Sequence, residues 1–400
     1  MHGKTACGSV GAVRFDPYGD ECHRDPYPVY RALRDGEPVY HDEELGFWAL
    51  SRFADVVGAL HSPATFLSGD GIALEGQARS PYPMIIAMDP PRHDQLRALL
   101  ARGFTARPVA ANAAGVRALA RELIEAFADA GRVEFVDAYS GALPLYVIGN
   151  LLGIERDGLA EFRRLGNALM DQDPAEPASI EAGKAASAAI LEGIVGIIAE
   201  RRRAPRDDLV SALLAAEVDG ERLREEEVIG FCYLLILAGT ETTANLLANG
   251  VMALAAHPDQ RAELRADPAL IPGAVEEMLR WDSPVQSDAR TMGADVELHG
   301  RAIPEGDKVL LLFGSAGRDE REYADPDRFD IHRRIERHLT FGHGIHYCLG
   351  AALARLEAQV TFEELLARLP DWEVDADPAE LPRVRSYMVR GPSALPLAWA

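Results

Sequence analysis

The sequence predicts a mostly α-helical protein with a small β region, forming one domain over residues 1–400. Long segments with apolar residues at helical spacing dominate the chain, and only a few short segments have strand-like patterns. Strands and helices do not alternate as in a dinucleotide-binding fold, and no G-x-G-x-x-G motif follows a strand. The loop at 171–177 separates two helical patterns that resume at once, so we do not expect a domain boundary there.

The predicted helices have apolar residues three and four positions apart. The longest is apolar almost all round in its middle, as expected of a helix that crosses the core. The predicted helices are Asp94–Phe104, Val116–Ala130, Ala185–Arg203, Glu225–Ala256, Pro272–Trp281 and Ala351–Leu369. The predicted strands, which we expect in one small sheet, lie at Pro38–Tyr40, Phe47–Leu50, Val296–Leu298 and Lys308–Leu312.

Composition excludes several classes of protein. With 48% hydrophobic residues, a chain of 400 residues can bury a large core. A net charge of −22 opposes binding to nucleic acid or to anionic membranes. The N-terminus lacks the core of an export signal, and no window is expected to reach the ~20 apolar residues that span a bilayer. Four cysteines without metal-type spacing argue against a disulfide framework. We therefore expect a cytoplasmic protein.

A glycine-rich turn carries Cys348 directly in front of the helix-forming run that starts at Ala351. Free backbone N–H groups and the positive end of the helix dipole both favour thiolate over thiol at such a position. Gly344 and Gly350 allow the backbone to turn tightly or to lie against a flat macrocycle. An isolated cysteine would more often be a buried structural residue. The surrounding pattern instead indicates an axial thiolate ligand for haem iron, which promotes O–O cleavage.

The pattern F-x-x-G-x-H-x-C-x-G at 341–350 resembles the haem-binding loop of the cytochrome P-450 superfamily, the haem-thiolate monooxygenases. Three further segments match this family in the same order, so the resemblance spans about the whole chain. It implies the cytochrome P-450 fold, with haem b held between a long core helix and the helix after the cysteine. It also implies that Cys348 ligates the iron, Phe341 shields the sulfur and His346 points toward a haem carboxylate.

The second match lies inside the long core helix, where 238–243 form a small, acidic and hydroxyl-rich cluster. Burying such groups is costly unless something uses them. The cluster resembles the family's oxygen-binding motif A-G-x-[DE]-T-[TS], in which Ala238 and Gly239 leave room for a diatomic ligand. The resemblance implies that Thr242 donates a hydrogen bond to the dioxygen being activated, and that Glu241 links Thr242 to solvent protons. Splitting the O–O bond needs two protons, which such a relay can deliver.

The third match is the E-x-x-R sequence of Glu277 and Arg280, which lie on one face of a helix. As an isolated pair they would form a weak surface salt bridge. The resemblance instead implies a buried structural pair that locks the segment before the cysteine loop through another arginine. Arg328 is the first choice for that arginine, and Arg333 is the second.

The fourth match concerns the two propionates of haem, which need cationic or hydrogen-bonding partners. His93 and Arg97 are four residues apart on a predicted helix, so both can reach one side of the ring. By resemblance, Arg290 and His346 hold the remaining propionate positions.

The same resemblance implies a substrate pocket lined by the core helix, by the loop at 67–88, by 165–177 and by the segments after the E-x-x-R helix. These regions are mainly apolar, which suits a lipophilic small molecule. Gln286, Ser287 and Tyr387 suggest hydrogen bonding to an oxygenated substrate. The residues predicted to line the pocket are Leu234, Leu235, Val285, Gln286 and Met388.

We expect no fused reductase, and the resemblance then implies that electrons come from a separate ferredoxin and ferredoxin reductase. We expect a monomer with a basic docking area on the thiolate side, formed by Arg102, Arg107, Arg337 and Arg355.

The predicted reaction inserts one oxygen atom from O2 into a lipophilic substrate, by hydroxylation or epoxidation in secondary metabolism. Three alternatives stay open. A peroxide-driven peroxygenase would be expected to replace the pair Glu241 and Thr242, which is intact here. A haem sensor or carrier would need no proton relay. Oxidative coupling or desaturation would use the same residues.

Overall fold

The computed structural model describes residues 13–75, 82–100, 112–170, 177–218, 220–369 and 371–400. These residues are mostly helical with small β-sheets, as predicted. The α-helices are Asp20–Arg24, Tyr27–Gly36, Phe53–Leu60, Arg92–Leu100, Ala113–Glu125, Ala142–Leu151, Arg156–Met170, Pro177–Arg203, Leu209–Ala215, Glu225–Ala256, Pro258–Ala266, Ile271–Trp281, Phe313–Ala316 and Ala351–Arg368. Shorter 3-10 or π turns are Ile85–Ala87, Val136–Ser140, Pro268–Leu270 and Gly344–His346.

A five-stranded sheet stands beside the helices. Its strands Phe47–Leu50 and Lys308–Leu312 are parallel, whereas the other neighbours are antiparallel. In spatial order its strands are Val39–Asp42, Phe47–Leu50, Lys308–Leu312, Ser287–Met292 and Phe66–Leu67. One smaller sheet contains Arg132–Glu134, Glu373–Val374 and Pro396–Ala398. A second pairs Glu217–Val218 with Glu221–Arg222, and a third pairs Val296–Leu298 with Arg301–Ile303.

One strand prediction was wrong in its pairing. Val296–Leu298 does not join the large sheet but forms a separate hairpin with Arg301–Ile303. The reason is the turn at His299 and Gly300, both with positive φ (50° and 74°), which folds the strand back on its immediate neighbour. Ser287–Met292, which we will call the site strand, takes the place beside Lys308–Leu312 instead.

Glu225–Ala256, the core helix, begins and ends where predicted and connects two apolar clusters. Its N-terminal half packs with Pro177–Arg203 in one cluster, through residues such as Ile229 and Ile236. Its C-terminal half packs with Ala351–Arg368, the cysteine helix, in another. The middle of the core helix therefore lies where the clusters meet.

The start of the core helix is fixed by Glu227, which is buried. Glu227 accepts a hydrogen bond from the backbone N–H of Arg224 at 2.8 Å, closing the first turn. Its carboxylate also accepts bonds from Arg92 at 2.6 Å. Arg92 begins the helix Arg92–Leu100, which we call the anchor helix because it carries His93 and Arg97. The bond to Glu227 thus fixes the anchor helix against the core helix.

Two of the described helices, Pro177–Arg203 and Glu225–Ala256, are long and apolar enough to cross a membrane by length and composition alone. The expectation that no segment would reach this length was therefore wrong. The core helix is this apolar because its two halves pack into two apolar clusters. Half of its most apolar window is buried inside the fold.

Candidate active site

A cavity of about 390 Å³ lies between the core helix, the cysteine loop (341–350), the anchor helix and the site strand. Its walls are mainly apolar, with polar groups gathered at a few points. Such a cavity suits a lipophilic ligand held by a few directed contacts. Apolar lining residues come from the core helix (Phe231, Leu234, Leu235, Leu237, Ala238, Leu246), the loop before the anchor helix (Met84, Ile85, Ile86) and the C-terminal turn (Met388, Val389).

The cysteine loop delivers Cys348 to one wall of this cavity. The backbone N–H of Cys348 donates to the carbonyl of Phe341 at 2.9 Å, which closes the loop. Gly344 has a φ of +70°, and a Cβ there would lie 2.5 Å from the carbonyl oxygen of Leu60. A Cβ on Gly350 would lie 3.9 Å from the Cys348 sulfur. Gly344 thus permits the turn, whereas the space at Gly350 would admit a side chain in ordinary contact with the sulfur.

Opposing effects act on the Cys348 thiol. Burial raises its pKa, whereas hydrogen bonds from the N–H groups of Gly350 and Ala351 and the charges of Arg97 and Arg355 lower it. Burial is the larger effect, because a thiolate loses its hydration in the cavity wall. The helix start was expected to favour thiolate, and its contribution is present but does not prevail by itself. A metal ion bound to the sulfur would supply the missing stabilisation.

Four predicted haem-anchoring residues meet at one edge of the cavity: His93, Arg97, Arg290 and His346. The rings of His93 and His346 are 4.3 Å apart. The Nε2 atoms of both rings are buried and lack a hydrogen-bond partner among the described residues. Orphaned buried polar atoms are rare and need an explanation.

The charged groups at this edge also lack close carboxylate partners in the described part of the chain. Burial, followed by the neighbouring His93, Arg290 and Arg97, lowers the pKa of His346 to about 3. Burial also lowers the pKa of Arg97. No carboxylate among the described residues lies within ion-pair distance of Arg97, and Arg290 has only Asp288 at 3.7 Å. Two cations and two unpaired imidazole nitrogens fit the two propionates of haem b. The residues present therefore fit the cofactor that the loop implies.

On the opposite wall, Glu241 and Thr242 line the cavity as predicted. The Thr242 hydroxyl donates to the carbonyl of Ala238 at 2.7 Å, and Thr240 does the same to Ile236. These bonds engage the backbone carbonyls of Ala238 and of Ile236, two residues before the motif, although the helix is continuous. Burial raises the pKa of Glu241 to about 7, so this carboxyl can both hold and release a proton near neutral pH.

The E-x-x-R pair forms a buried network. Glu277 and Arg280 are both fully buried and share two hydrogen bonds of 2.7 Å. Arg280 also donates to the carbonyls of Gly317 and Pro326, and Glu277 accepts from the N–H of Asp330. These partners belong to the segment that leads to the cysteine loop. The pair therefore has the geometry of a structural lock.

The first choice for the third partner, Arg328, was wrong. Its side chain is 67% exposed and pairs with Asp330 instead, so only its backbone carbonyl joins the network. Arg333, the second choice, is 12% exposed and places Nε 3.2 Å from Glu277. Its other nitrogens donate to the carbonyls of Ala324 and Asp325 at 2.6 and 2.9 Å. The buried guanidinium of Arg333 can donate to Glu277 and to backbone carbonyls at the same time, whereas the exposed guanidinium of Arg328 cannot reach them.

Most of the predicted pocket residues line the cavity: Leu234, Leu235, Val285 and Met388. Gln286 does not. Its amide nitrogen donates to the carbonyl of Ser283 at 2.7 Å, and the side chain is buried away from the cavity beside Gly314. Ser287 and Tyr387 are also engaged elsewhere, the former with the Tyr387 carbonyl and the latter with Glu75. Residues 171–176 of the predicted pocket lie outside the described part of the chain.

Two carboxyl groups in the lining were missed. Glu357 is buried on the cysteine helix, and burial raises its pKa to about 8. Asp288 is on the site strand, two residues before Arg290. No signal in the sequence could have found Asp288, because its strand has a polar sequence without an apolar strand pattern and was not predicted.

The thiolate side carries a second ion network. Glu276 accepts bonds from Arg355 at 2.6 Å and lies 3.1 Å from His338. Burial acts to raise the pKa of Glu276, but these bonds outweigh it and lower the pKa to about 2. The guanidinium of Arg355 also lies 4.5 Å from the centre of the Phe341 ring. Arg337 is half-exposed, with Glu322 at 3.7 Å. Arg102 and Arg107, the other predicted docking residues, lie outside the described residues.

Comparison with known proteins agrees with this geometry. The family model for cytochrome P450 matches residues 180–389. The putative cytochrome P450 123 of Mycobacterium tuberculosis is 41% identical over 388 residues, covering 96% of each protein. The steroid C26-monooxygenase of the same organism is 38% identical over 378 residues, covering 94% of each. The solved structure of cytochrome P450 CYP109Q5 from Chondromyces apiculatus superposes with a TM-score of 0.88 at 39% identity, covering 96% of this chain and 97% of the other.

Identity at this level over nearly the full length goes beyond a shared fold. It agrees with the match of the cysteine loop, the oxygen-binding motif and the E-x-x-R pair. The family and fold imply haem b ligated by the cysteine, and the enzyme is an oxidoreductase of the monooxygenase type. The chain belongs to the cytochrome P450 family.

Proposed function

We propose that this enzyme inserts one oxygen atom from O2 into a lipophilic small molecule of secondary metabolism, by hydroxylation or epoxidation. The observation that carries the proposal is the arrangement of one cavity, in which Cys348 lies on one wall and Glu241 with Thr242 on another. The apolar residues between them form the space for the substrate. The steroid-oxidising relative supports a lipophilic substrate of this general kind.

When bound, haem b supplies the activation of dioxygen, and the chain's own residues supply everything else. Cys348 holds the iron, and His93, Arg97, Arg290 and His346 orient the propionates. The apolar wall excludes water from the reacting centre, which prevents proton leakage.

Thr242 and Glu241 form a relay that transfers protons into the cavity. The Thr242 hydroxyl donates its one proton to the Ala238 carbonyl, which leaves its oxygen free to accept a hydrogen bond; rotation of the hydroxyl away from Ala238 lets it donate into the cavity. Glu241, with a pKa near 7, can pass a proton to the cavity and recover one afterwards. Such a pair delivers protons singly without opening the site to bulk water.

The haem assignment is tested by reducing the purified protein under carbon monoxide. The wild type should give the strongly red-shifted Soret band of a thiolate ligand. Cys348→Ser should lose that band, whereas Cys22→Ser, which changes a partly exposed cysteine of the first helix, should keep it. A band typical of histidine-bound haem in the wild type would refute the proposal.

The reaction type is tested with ¹⁸O2, a ferredoxin, its reductase and a panel of lipophilic compounds. One labelled oxygen atom in the product supports monooxygenation. A product without label indicates coupling or desaturation, and turnover with peroxide alone indicates a peroxygenase. No product, together with reversible ligand binding, would favour the sensor or carrier.

Electrons are proposed to come from a separate ferredoxin and ferredoxin reductase to a cytoplasmic monomer. Arg337 supports a docking area on the thiolate side, because it is exposed and only loosely paired. Arg355 contributes less charge than predicted, since Glu276 already binds it. Arg337→Glu should slow reduction by ferredoxin several-fold, most strongly at low salt. Arg164→Glu, on a helix that contributes no residue to the cavity lining, serves as the matched control.

A further inference from the structure

The carboxyl group of Asp288 is a polar point in the cavity wall without an assigned task. Asp288 lines the cavity, and 18% of its side chain is accessible. The nearest cationic atom is Nη2 of Arg290 at 3.7 Å, which is too far for a good hydrogen bond. No other donor among the described residues lies within hydrogen-bond distance of its carboxylate. A lipophilic ligand that displaces water from this partly buried carboxyl leaves it unsatisfied unless the ligand itself offers a hydrogen bond.

Its position places it beside the substrate space. On a strand, Asp288 and Arg290 face the same side about 7 Å apart, so Asp288 lies one step away from the haem-anchoring edge. The adjacent backbone N–H of Ala289 donates to Ile72 at 2.7 Å, and that of Gln286 donates to Met388 at 2.7 Å. Ile72 and Met388 both line the cavity. Asp288 therefore lies between two apolar wall residues.

Most of the other polar groups of the cavity already have partners or tasks. The Thr340 hydroxyl donates to the Leu279 carbonyl at 2.6 Å, and the Thr242 hydroxyl donates to Ala238. Glu241 forms part of the proton relay. Glu357 also lines the cavity with an Oε2 that is unpartnered among the described residues, but it lies on a different wall, the cysteine helix. The groups at the haem edge are cations and imidazoles that fit the propionates. Asp288 is the carboxyl that remains for a ligand in this part of the cavity.

The surroundings decide which ligand chemistry suits it. Burial raises the pKa of Asp288, and Arg290 opposes this only in part. From the anchor helix His93 and Arg97 face the same cavity, from the cysteine loop His346 does, and from the core helix Glu241 does. The cations disfavour an ammonium group, whereas a neutral carboxylic acid can donate to an oxygen atom and accept from a hydroxyl.

We propose that Asp288 determines substrate specificity by hydrogen-bonding a hydroxyl or carbonyl oxygen of an otherwise lipophilic substrate. This inference rests on the proposed function and specifies its substrate class. A hydrocarbon without oxygen would cover the carboxyl and leave it without a hydrogen bond, whereas an alcohol would form that hydrogen bond. Sites built around such a bond reject analogues that lack the bonding group.

The test compares alcohols with their parent hydrocarbons: 1-adamantanol with adamantane, cyclododecanol with cyclododecane, and androstan-17-ol with androstane. Binding to the haem-loaded enzyme is followed by the shift of the Soret band. In at least one pair the wild type should bind the alcohol about 10-fold more tightly than the hydrocarbon. Asp288→Leu should abolish this preference, and Asp288→Asn, which can still donate and accept, should retain most of it.

A matched control separates the hydrogen bond from general packing. Val285→Ala removes an apolar part of the same wall and should weaken both members of a pair alike. The inference fails if no alcohol is preferred or bound by the wild type, or if Asp288→Leu keeps the preference. It also fails if Asp288→Leu changes only the haem content or the midpoint potential, because Asp288 would then serve the haem propionates.

The proposed function and the role of Asp288 can be overturned independently. Loss of the red-shifted carbon monoxide band in the wild type would overturn the proposed function itself. An intact band with an unchanged alcohol preference in Asp288→Leu would overturn only the role of Asp288.

Discussion

Replacing Arg333 by alanine tests the structural lock beneath the cysteine loop. The change removes a partner of the buried Glu277 and leaves the carbonyls of Ala324 and Asp325 without their donors. Removing one member of a buried ion pair costs about 3–5 kcal/mol. Glu277 keeps Arg280 and the N–H of Asp330, and the two carbonyls can turn to water. We therefore expect the free energy of unfolding to fall by about 2–3 kcal/mol.

Arg328→Ala is the matched control five residues earlier. Its side chain is 67% exposed, and the carbonyl that it contributes is kept in the variant. The loss should stay within about 0.5 kcal/mol. Because both substitutions remove an arginine from one short segment, net charge cannot explain a difference between them.

Urea unfolding should be followed both by far-UV circular dichroism and by the thiolate-ligated haem spectrum, since cofactor loss and unfolding can separate. With an m-value of about 3 kcal/mol/M, the Arg333→Ala midpoint should fall by about 0.7–1 M. Equal midpoints for Arg333→Ala and the wild type, or an equally large loss in Arg328→Ala, would refute the reasoning.

The other predictions concern the walls of the cavity. Thr242→Ala should retain haem but divert reducing equivalents to peroxide, with product per reducing equivalent falling about 10-fold or more; coupled turnover in this variant would count against the relay. Glu357→Gln should raise the free energy of unfolding by up to about 4 kcal/mol at pH 9 and hardly at pH 4. The reason is that folding raises the pKa of Glu357 from 4.5 to about 8, so the wild type loses stability as the pH rises between these values and the glutamine variant does not. A difference that does not change with pH would contradict this. Gly344→Ala should lower haem content, since its Cβ meets the Leu60 carbonyl, whereas Gly46→Ala, at the same φ of +70° with open space around it, should cost only about 1 kcal/mol and keep haem. Equal haem content in the two glycine variants would show that the close approach is tolerated.

The parts of the site that a local pattern determines could be predicted from the sequence. Cys348, its glycines and the pair of Glu241 and Thr242 each lie in one short segment, whose chemistry is set by neighbours along the chain. The core helix was also predicted to the residue, because an apolar stretch of that length has few alternatives.

The errors arose where partners come from distant segments. Arg328 and Arg333 are both plausible from their spacing, and only the three-dimensional course of the chain decides which guanidinium reaches Glu277. Gln286 could not be placed, since its orientation depends on the bond to Ser283 and on the close backbone at Gly314. The site strand has the polar sequence 287–292 because one face meets the cavity, so it lacks an apolar strand pattern.

The unpaired nitrogens of His93 and His346 have a consequence for the life of the protein in the cell. A newly made chain that has not yet met its cofactor holds two imidazoles and the guanidiniums of Arg97 and Arg290 with too few partners, which destabilises this corner of the fold. Regions that open easily are the first to be cut by proteases. The amount of this enzyme in a cell should therefore follow the supply of haem, with surplus chains degraded from the anchor helix outward.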